Sequence, residues 1–207
     1  MIRNLLIVCA CLFGITPPSI PNAIAQRQSN SASNLVSVLM QTELGDIEIQ
    51  LEVKRAPITS RNFLRYVDAG HYDGGRFHRT VRLKPDNQPA NAVKIEVIQA
   101  GVNPEKARDN FGPIKLERTN VTGLKHKDGV ISMARAFADT ATSDFFICIG
   151  DQPELDFGGR RNSDGQGFAA FGKVIKGMDV VRRIHQSSFT DQRLTPPIRI
   201  IGAKRLK

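Results

Sequence analysis

Asp46-Ile47-Glu48-Ile49-Gln50-Leu51-Glu52-Val53 alternates without a break. Ile47, Ile49, Leu51 and Val53 share one face of an extended chain, and Asp46, Glu48, Gln50 and Glu52 share the other. A period of two with one apolar and one wet face describes an antiparallel strand lying on a core. Just before it, Leu44-Gly45-Asp46 is turn chemistry, and residues 35–42 are rich in Val, Leu and Met. The two runs and the turn predict a β-hairpin.

Downstream the period changes. In Pro57-Ile58-Thr59-Ser60-Arg61-Asn62-Phe63-Leu64-Arg65-Tyr66-Val67, the residues Phe63, Tyr66 and Val67 form an i, i+3, i+4 stripe. Pro57 suits the first turn of a helix, and Gly70 suits its end. Tyr72-Asp73-Gly74-Gly75 reads as a turn, and residues 76–81, 93–100, 130–134, 145–149, 168–175 and 198–206 read as strands. Residues 83–92, with two Pro and two Asn, and 156–167, with four Gly, read as surface loops. Residues 102–129 are mixed and charged, mostly loop, and 178–185 carry a second helical stripe. Many short strands with two helices predict an all-β dominated antiparallel barrel or sandwich rather than βαβ repeats.

The first 25 residues stand apart. A positive start at Met1-Ile2-Arg3 leads into an apolar run from Leu5 to Ile15, then Pro17, Pro18 and Pro21, then the small-x-small site Ala23-Ile24-Ala25. The run is too short to span a bilayer, and the whole reads as a secretory signal peptide cleaved after Ala25. Residues 1–25 are therefore expected to be a signal peptide, 26–34 a polar flexible N-terminus, and 35–207 one folded domain. The expected destination is an exported one, the periplasm before full secretion, with no stable membrane anchor. Cys9 and Cys11 leave with the signal. That leaves Cys148, in the apolar Phe145-Phe146-Ile147-Cys148-Ile149, as a buried thiol without a disulfide partner.

Composition excludes more than it selects. Lys and Arg outnumber Asp and Glu by 29 to 20, a formal charge of +9. No long basic run or nucleic-acid motif accompanies that charge, so a solvated basic surface is expected rather than a nucleic-acid partner. No GxSxG elbow, HExxH, Walker loop or GxGxxG after a strand occurs. His71, His78, His126 and His185 lack metal-ligand spacing, so no cofactor is expected. His126, in Lys125-His126-Lys127, reads as a solvated loop residue, His71 as a helix-exit cap, and His185 as a favourable end to a basic helix.

Four groups of residues, in order, carry a resemblance. They are Tyr72-Asp73-Gly74 with Phe77-His78-Arg79; Ile98-Gln99-Ala100-Gly101; Ile131-Ser132-Met133-Ala134-Arg135-Ala136 with Ser143-Asp144-Phe145-Phe146-Ile147; and Phe171-Gly172-Lys173-Val174 with Gly177-Met178-Asp179-Val180-Val181. With the Gly45-Asp46-Ile47 strand and the helix at Pro57, they resemble the cyclophilin family of peptidyl-prolyl cis-trans isomerases, most closely its exported bacterial branch, over roughly residues 39–207. The resemblance implies a closed eight-stranded antiparallel β-barrel capped by two α-helices. It implies a monomer that acts on unfolded or extended proline-containing polypeptides. Arg79 matches the catalytic Arg and Gln99 the Gln that orients it. Phe77, Val97, Phe146, Leu155 and Phe168 fall at or beside pocket positions, and Ala134 at the position whose backbone pairs with an extended peptide.

The sequence also departs from that family. Arg79 and Gln99 are twenty residues apart against the usual eight, so residues 83–92 look like an insertion. Glu96 stands where a pocket Phe is common, beside the Arg in the aligned picture, where it would either hold Arg79 or compete with substrate for it. Glu154 replaces an aromatic that contacts peptide and cyclosporin, Phe168 replaces a His or Tyr, and Asp144 replaces a Gln. The expectation is an active isomerase with weak cyclosporin binding. The alternative is a peptide-binding or chaperone module of the same fold with little turnover.

Overall fold

The computed structural model describes residues 35–206. The expected signal peptide at 1–25 and the polar stretch at 26–34 lie outside the described residues. Nine strands and three helices follow in the order β1 (Val36–Thr42), β2 (Gly45–Leu51), α1 (Pro57–Asp68), β3 (Arg76–Val81), β4 (Val97–Gly101), α2 (Thr119–Thr122), β5 (Val130–Met133), β6 (Phe145–Cys148), β7 (Ala169–Lys176), α3 (Met178–Gln186), β8 (Phe189–Thr190) and β9 (Arg193–Arg205). Every pairing is antiparallel. The order β1-β2-β7-β5-β6-β4-β3-β9 closes through a β1–β9 pairing, and β8 is a short flap on β9. The ring is thus an eight-stranded closed barrel, which leaves no long free edge for other chains to pair with.

The alternating strand β2 shows how the core fills. Ile47, Ile49 and Leu51 are fully buried, with Val38 and Met40 of β1 beside them. Helix α1 closes one end with Phe63, Leu64, Tyr66 and Val67. Phe63 lies 5.2 Å from Tyr72, 5.4 Å from Phe145 and 5.3 Å from Phe171, ring centre to ring centre. The first turn of α1 lacks a side-chain cap at Ala56. Its orphan N–H groups are met from afar, because the Glu117 carboxylate accepts from the Ile58 N–H at 3.1 Å and the Thr59 N–H at 2.8 Å. An anion at a helix N-terminus is favourable on both hydrogen-bond and dipole grounds.

Helix α3 closes the other end with Val180, Val181 and Ile184. His185 does not serve as a cation at its terminus. It is buried, and its Nε2 sits 3.1 Å from the Val81 carbonyl. Burial lowers its pKa below the ordinary value; the Val81 carbonyl and Glu96 push the other way, and Arg82 adds to the lowering. The folded state therefore holds the ring neutral, and the unfolded chain takes up the proton first. The sign follows: the contribution is intact above the ordinary His pKa of about 6.5 and is lost as pH falls below it. Urea midpoints are expected to fall between about pH 7 and pH 5, and His185→Gln is expected to flatten part of that slope.

Candidate active site

The site grows out of one irregularity in β3. Phe77 pairs with Ala100, but the next pair is Arg79 with Gln99, so His78 is an extra residue on one strand. Against β9 the register also breaks between Phe77 and Arg79, whose partners there are Ile198 and Arg193. A bulge of this kind reverses the inside-outside phase of the residues after it. Phe77 points into the barrel, fully buried, with its ring 6.0 Å from that of Phe145. Arg79 points out. Phe77 is thus a core residue and does not reach the cleft, contrary to the expectation from its place beside Arg79 in the sequence.

The outward row then runs across four strands. Arg79 is opposite Gln99, Gln99 opposite Phe146, and Phe146 opposite Ser132. One row over, Val81 pairs with Val97 and Val97 with Cys148. Val81, Ile95, Val97, Phe146, Cys148 and Leu155 form a small apolar cluster separate from the barrel core, with Ala134 and Phe168 against it. The cluster floors an open cleft of about 540 Å³, lined also by Arg79, Gln99, Asp144 and Arg161. Arg79, Gln99, Val97, Ala134, Phe146, Leu155 and Phe168 therefore meet in one place. Ile95 and Arg161 join them without having been singled out in the sequence, as does Asp144, which the sequence marked only as a departure from the family.

Arg79 is half-buried, and burial lowers its pKa, yet guanidinium stays charged near neutrality. Its donors meet neutral oxygens. Nη1 donates to Gln99 Oε1 at 2.9 Å, and Nε donates to Gln192 Oε1 at 2.9 Å. Both amides are themselves fixed. Gln99 Nε2 donates to Asp144 Oδ2 at 3.2 Å, and Gln192 Nε2 donates to the Asn87 carbonyl at 3.0 Å. Those acceptors settle which end of each amide faces Arg79. Asp144 occupies space that only a glycine at 101 leaves, since a Cβ there would lie 2.4 Å from its Oδ1. The guanidinium is held in place with no carboxylate on it among the described residues, so its charge remains available to a ligand.

Glu96 does not bridge to Arg79. Its Oε1 is 3.4 Å from the Leu83 N–H, and it faces a different recess with Arg82 and His185. Glu154 is held by Arg160, which donates to it from backbone N at 2.8 Å and Nη2 at 2.9 Å. The Ala134 N–H is spent on the Asp144 carbonyl at 2.9 Å, so any pairing of a peptide with Ala134 falls to its carbonyl.

Beneath the floor lies His126, buried rather than solvated. Its Nδ1 is 2.8 Å from Asp156 Oδ1 and its Nε2 is 3.0 Å from Ser132 Oγ. The ring stacks 6.0 Å from that of Phe146, which also meets the Phe168 ring edge-on at 5.3 Å. Burial raises the Asp156 carboxyl, but hydrogen bonds from the ring and backbone of His126 outweigh it and hold the pKa below the ordinary range. With Ser132 fully buried, this chain of bonds is a support for Phe146, not a nucleophile. Cys148 is equally inert, because burial pushes its thiol pKa far up.

Comparison with known proteins identifies the family. The profile of the family described as cyclophilin type peptidyl-prolyl cis-trans isomerase matches residues 37–205. The chain is 38% identical over 158 residues to peptidyl-prolyl cis-trans isomerase A of Dickeya dadantii, covering 75% of this chain and 74% of that one. It is 41% identical over 148 residues to a peptidyl-prolyl cis-trans isomerase of Acinetobacter baylyi, covering 71% and 70%. Among solved structures, a cyclophilin type isomerase of Cryptosporidium parvum superposes with a TM-score of 0.65 at 22% identity, over 84% of this chain and 98% of that one. A profile match along nearly all of the barrel, and relatives at this identity over most of both chains, place the protein in the cyclophilin family, as an enzyme of the peptidyl-prolyl cis-trans isomerase class.

Proposed function

We propose that the protein speeds X-Pro bond rotation in exported polypeptides, with Arg79 stabilising the twisted amide. Rotation breaks amide conjugation and faces a barrier of about 18–20 kcal/mol. In the twisted state the prolyl nitrogen becomes pyramidal and regains a lone pair. A guanidinium beside it attracts that state more than the planar one, and such differential attraction is what raises a rate. The observation that carries this reading is that Arg79 is held by two oriented amides and, among the described residues, by no carboxylate, at the rim of an apolar floor. Val97, Phe146, Leu155 and Phe168 give the proline ring a dry seat, and Gln99 keeps the guanidinium aimed. A related Cryptosporidium parvum structure was determined in the presence of the dipeptide Ala-Pro, which supports a proline-containing substrate here.

The export half of the proposal rests on residues 1–25, whose charged start, apolar run and Ala23-Ile24-Ala25 have the order of a cleaved signal. A periplasmic isomerase acting on newly exported chains fits that signal. The holding-module alternative drew on Glu96 and Glu154, and both carboxylates are engaged elsewhere. Two measurements test the proposal. The chain from Gln26 is expected to accelerate cis-trans exchange in blocked X-Pro peptides; binding without acceleration would favour the holding module. The N-terminus recovered from the producing cell's exported fraction is expected to be Gln26; retention of residues 1–25 in the cytoplasm would remove the export half alone.

A further inference from the structure

The loop between β3 and β4 does not hang free over the cleft. Gln88 is almost completely buried and spends its whole amide. Its Nε2 donates to the Arg82 carbonyl at 3.1 Å and the Ile95 carbonyl at 2.7 Å. Its Oε1 accepts from the Ile95 N–H at 3.3 Å and from Arg161 Nη1 at 3.0 Å. Turning the amide over would set NH₂ against two donors, so its orientation is fixed. Arg161 Nη1 also donates to the Val93 carbonyl at 2.6 Å. Through Asn87, the same loop anchors the Gln192 that holds Arg79. The insertion thus fixes both Arg161 and Arg79 in the cleft wall.

The charges in that wall do not balance. Arg135 has a carboxylate, Asp164, at 2.8 Å. Asp144 is shared between Gln99 and His78, the latter at 3.7 Å. Arg79 and Arg161 have no carboxylate within ion-pair distance among the described residues, and Nε and Nη2 of Arg161 have no hydrogen-bond partner among them. Arg79 is also among the charges that lower the pKa of Arg161, after burial itself, so the two cations sense each other. Two half-buried guanidiniums with spare donors and uncompensated charge make a receptor for an anion.

We propose that Arg161 is a specificity residue that makes this cleft prefer clients with an acidic side chain, Asp or Glu, next to the proline. This rests on the reading that the cleft seats the X-Pro segment. The carboxylate takes the free edge of Arg161, relieves the repulsion with Arg79, and leaves Arg79 facing the prolyl nitrogen. A neutral residue at the same place leaves both cations unmatched.

The test uses the chain from Gln26 and peptides with blocked ends, so that no terminal carboxylate competes. The residue before or after Pro is Glu, Gln, Lys or phosphoserine. For at least one of the two positions, kcat/KM for Glu over Gln is expected to be about tenfold at low ionic strength and to shrink as salt rises. Arg161→Gln is expected to bring the ratio near one, whatever it does to absolute rates, and Arg161→Lys to restore part of it. Equal rates for Glu and Gln in the wild type at both positions would overturn the proposal. So would a ratio untouched by Arg161→Gln, or acceleration confined to phosphoserine. If no peptide is accelerated, the isomerase reading fails by itself. The Glu-over-Gln ratio of Kd values, from NMR titration of the same peptides, then decides this proposal alone.

Discussion

Arg79→Ala is expected to lower kcat/KM for a neutral X-Pro peptide by about 10²–10³-fold, the range found when one preorganised donor is removed from a developing charge. The loss should fall mainly on kcat, because the interaction strengthens as the amide twists and is weak in the planar ground state. Arg79→Lys should recover little. An ammonium keeps the charge but has no fork with which to hold Gln99 and Gln192 while also facing the substrate. The measurement is cis-trans exchange by NMR or a protease-coupled assay, beside urea unfolding of the same variants. Arg79 lies on the outer face of the barrel, so stability should change little. A variant that stays folded and keeps wild-type kcat would sink the assigned role.

Much of this could be read from the residues, and what could not has identifiable physical causes. The alternation in Gly45–Leu51 announced a half-wet strand because the side-chain period of a strand is two, and the Phe63, Tyr66, Val67 stripe announced α1 for the matching reason. The positions of Arg79, Gln99 and Phe146 were legible only through the resemblance. Phe77 went astray because the bulge at His78 reverses phase, and nothing in Arg76-Phe77-His78-Arg79 signals an extra residue. His126 reads as solvated between two lysines, since its burial is decided by Asp156 and Ser132 arriving from other segments. The two-residue strand β8 is too short to have a period. Gln192 is 113 residues from the arginine it holds, and Glu117 is 59 from the Ile58 N–H it caps. Such bonds are tertiary and leave no local pattern.

The separation of the two apolar clusters leads to the second large effect. Phe63→Ala is expected to cost about 3–5 kcal/mol of unfolding free energy, as large-to-small changes at packed aromatic sites do. Against a typical total of about 5–15 kcal/mol, that is a large share. The ring is fully buried, meets three other aromatic rings, and joins α1 to the strands, so neighbours cannot collapse into the space without breaking those contacts. The urea midpoint should fall with the slope unchanged. Yet Phe63 belongs to the barrel interior and Arg79 to the outer row, so the folded fraction should keep nearly wild-type kcat/KM. Phe146→Ala should do the reverse. It removes the part of the cleft floor that packs on His126 and Phe168 and leaves the interior cluster whole, so activity should fall further than stability. Comparable loss of both quantities in both variants would mean that the cleft and the barrel form one cooperative unit, and that the dry seat for proline cannot be altered apart from the fold.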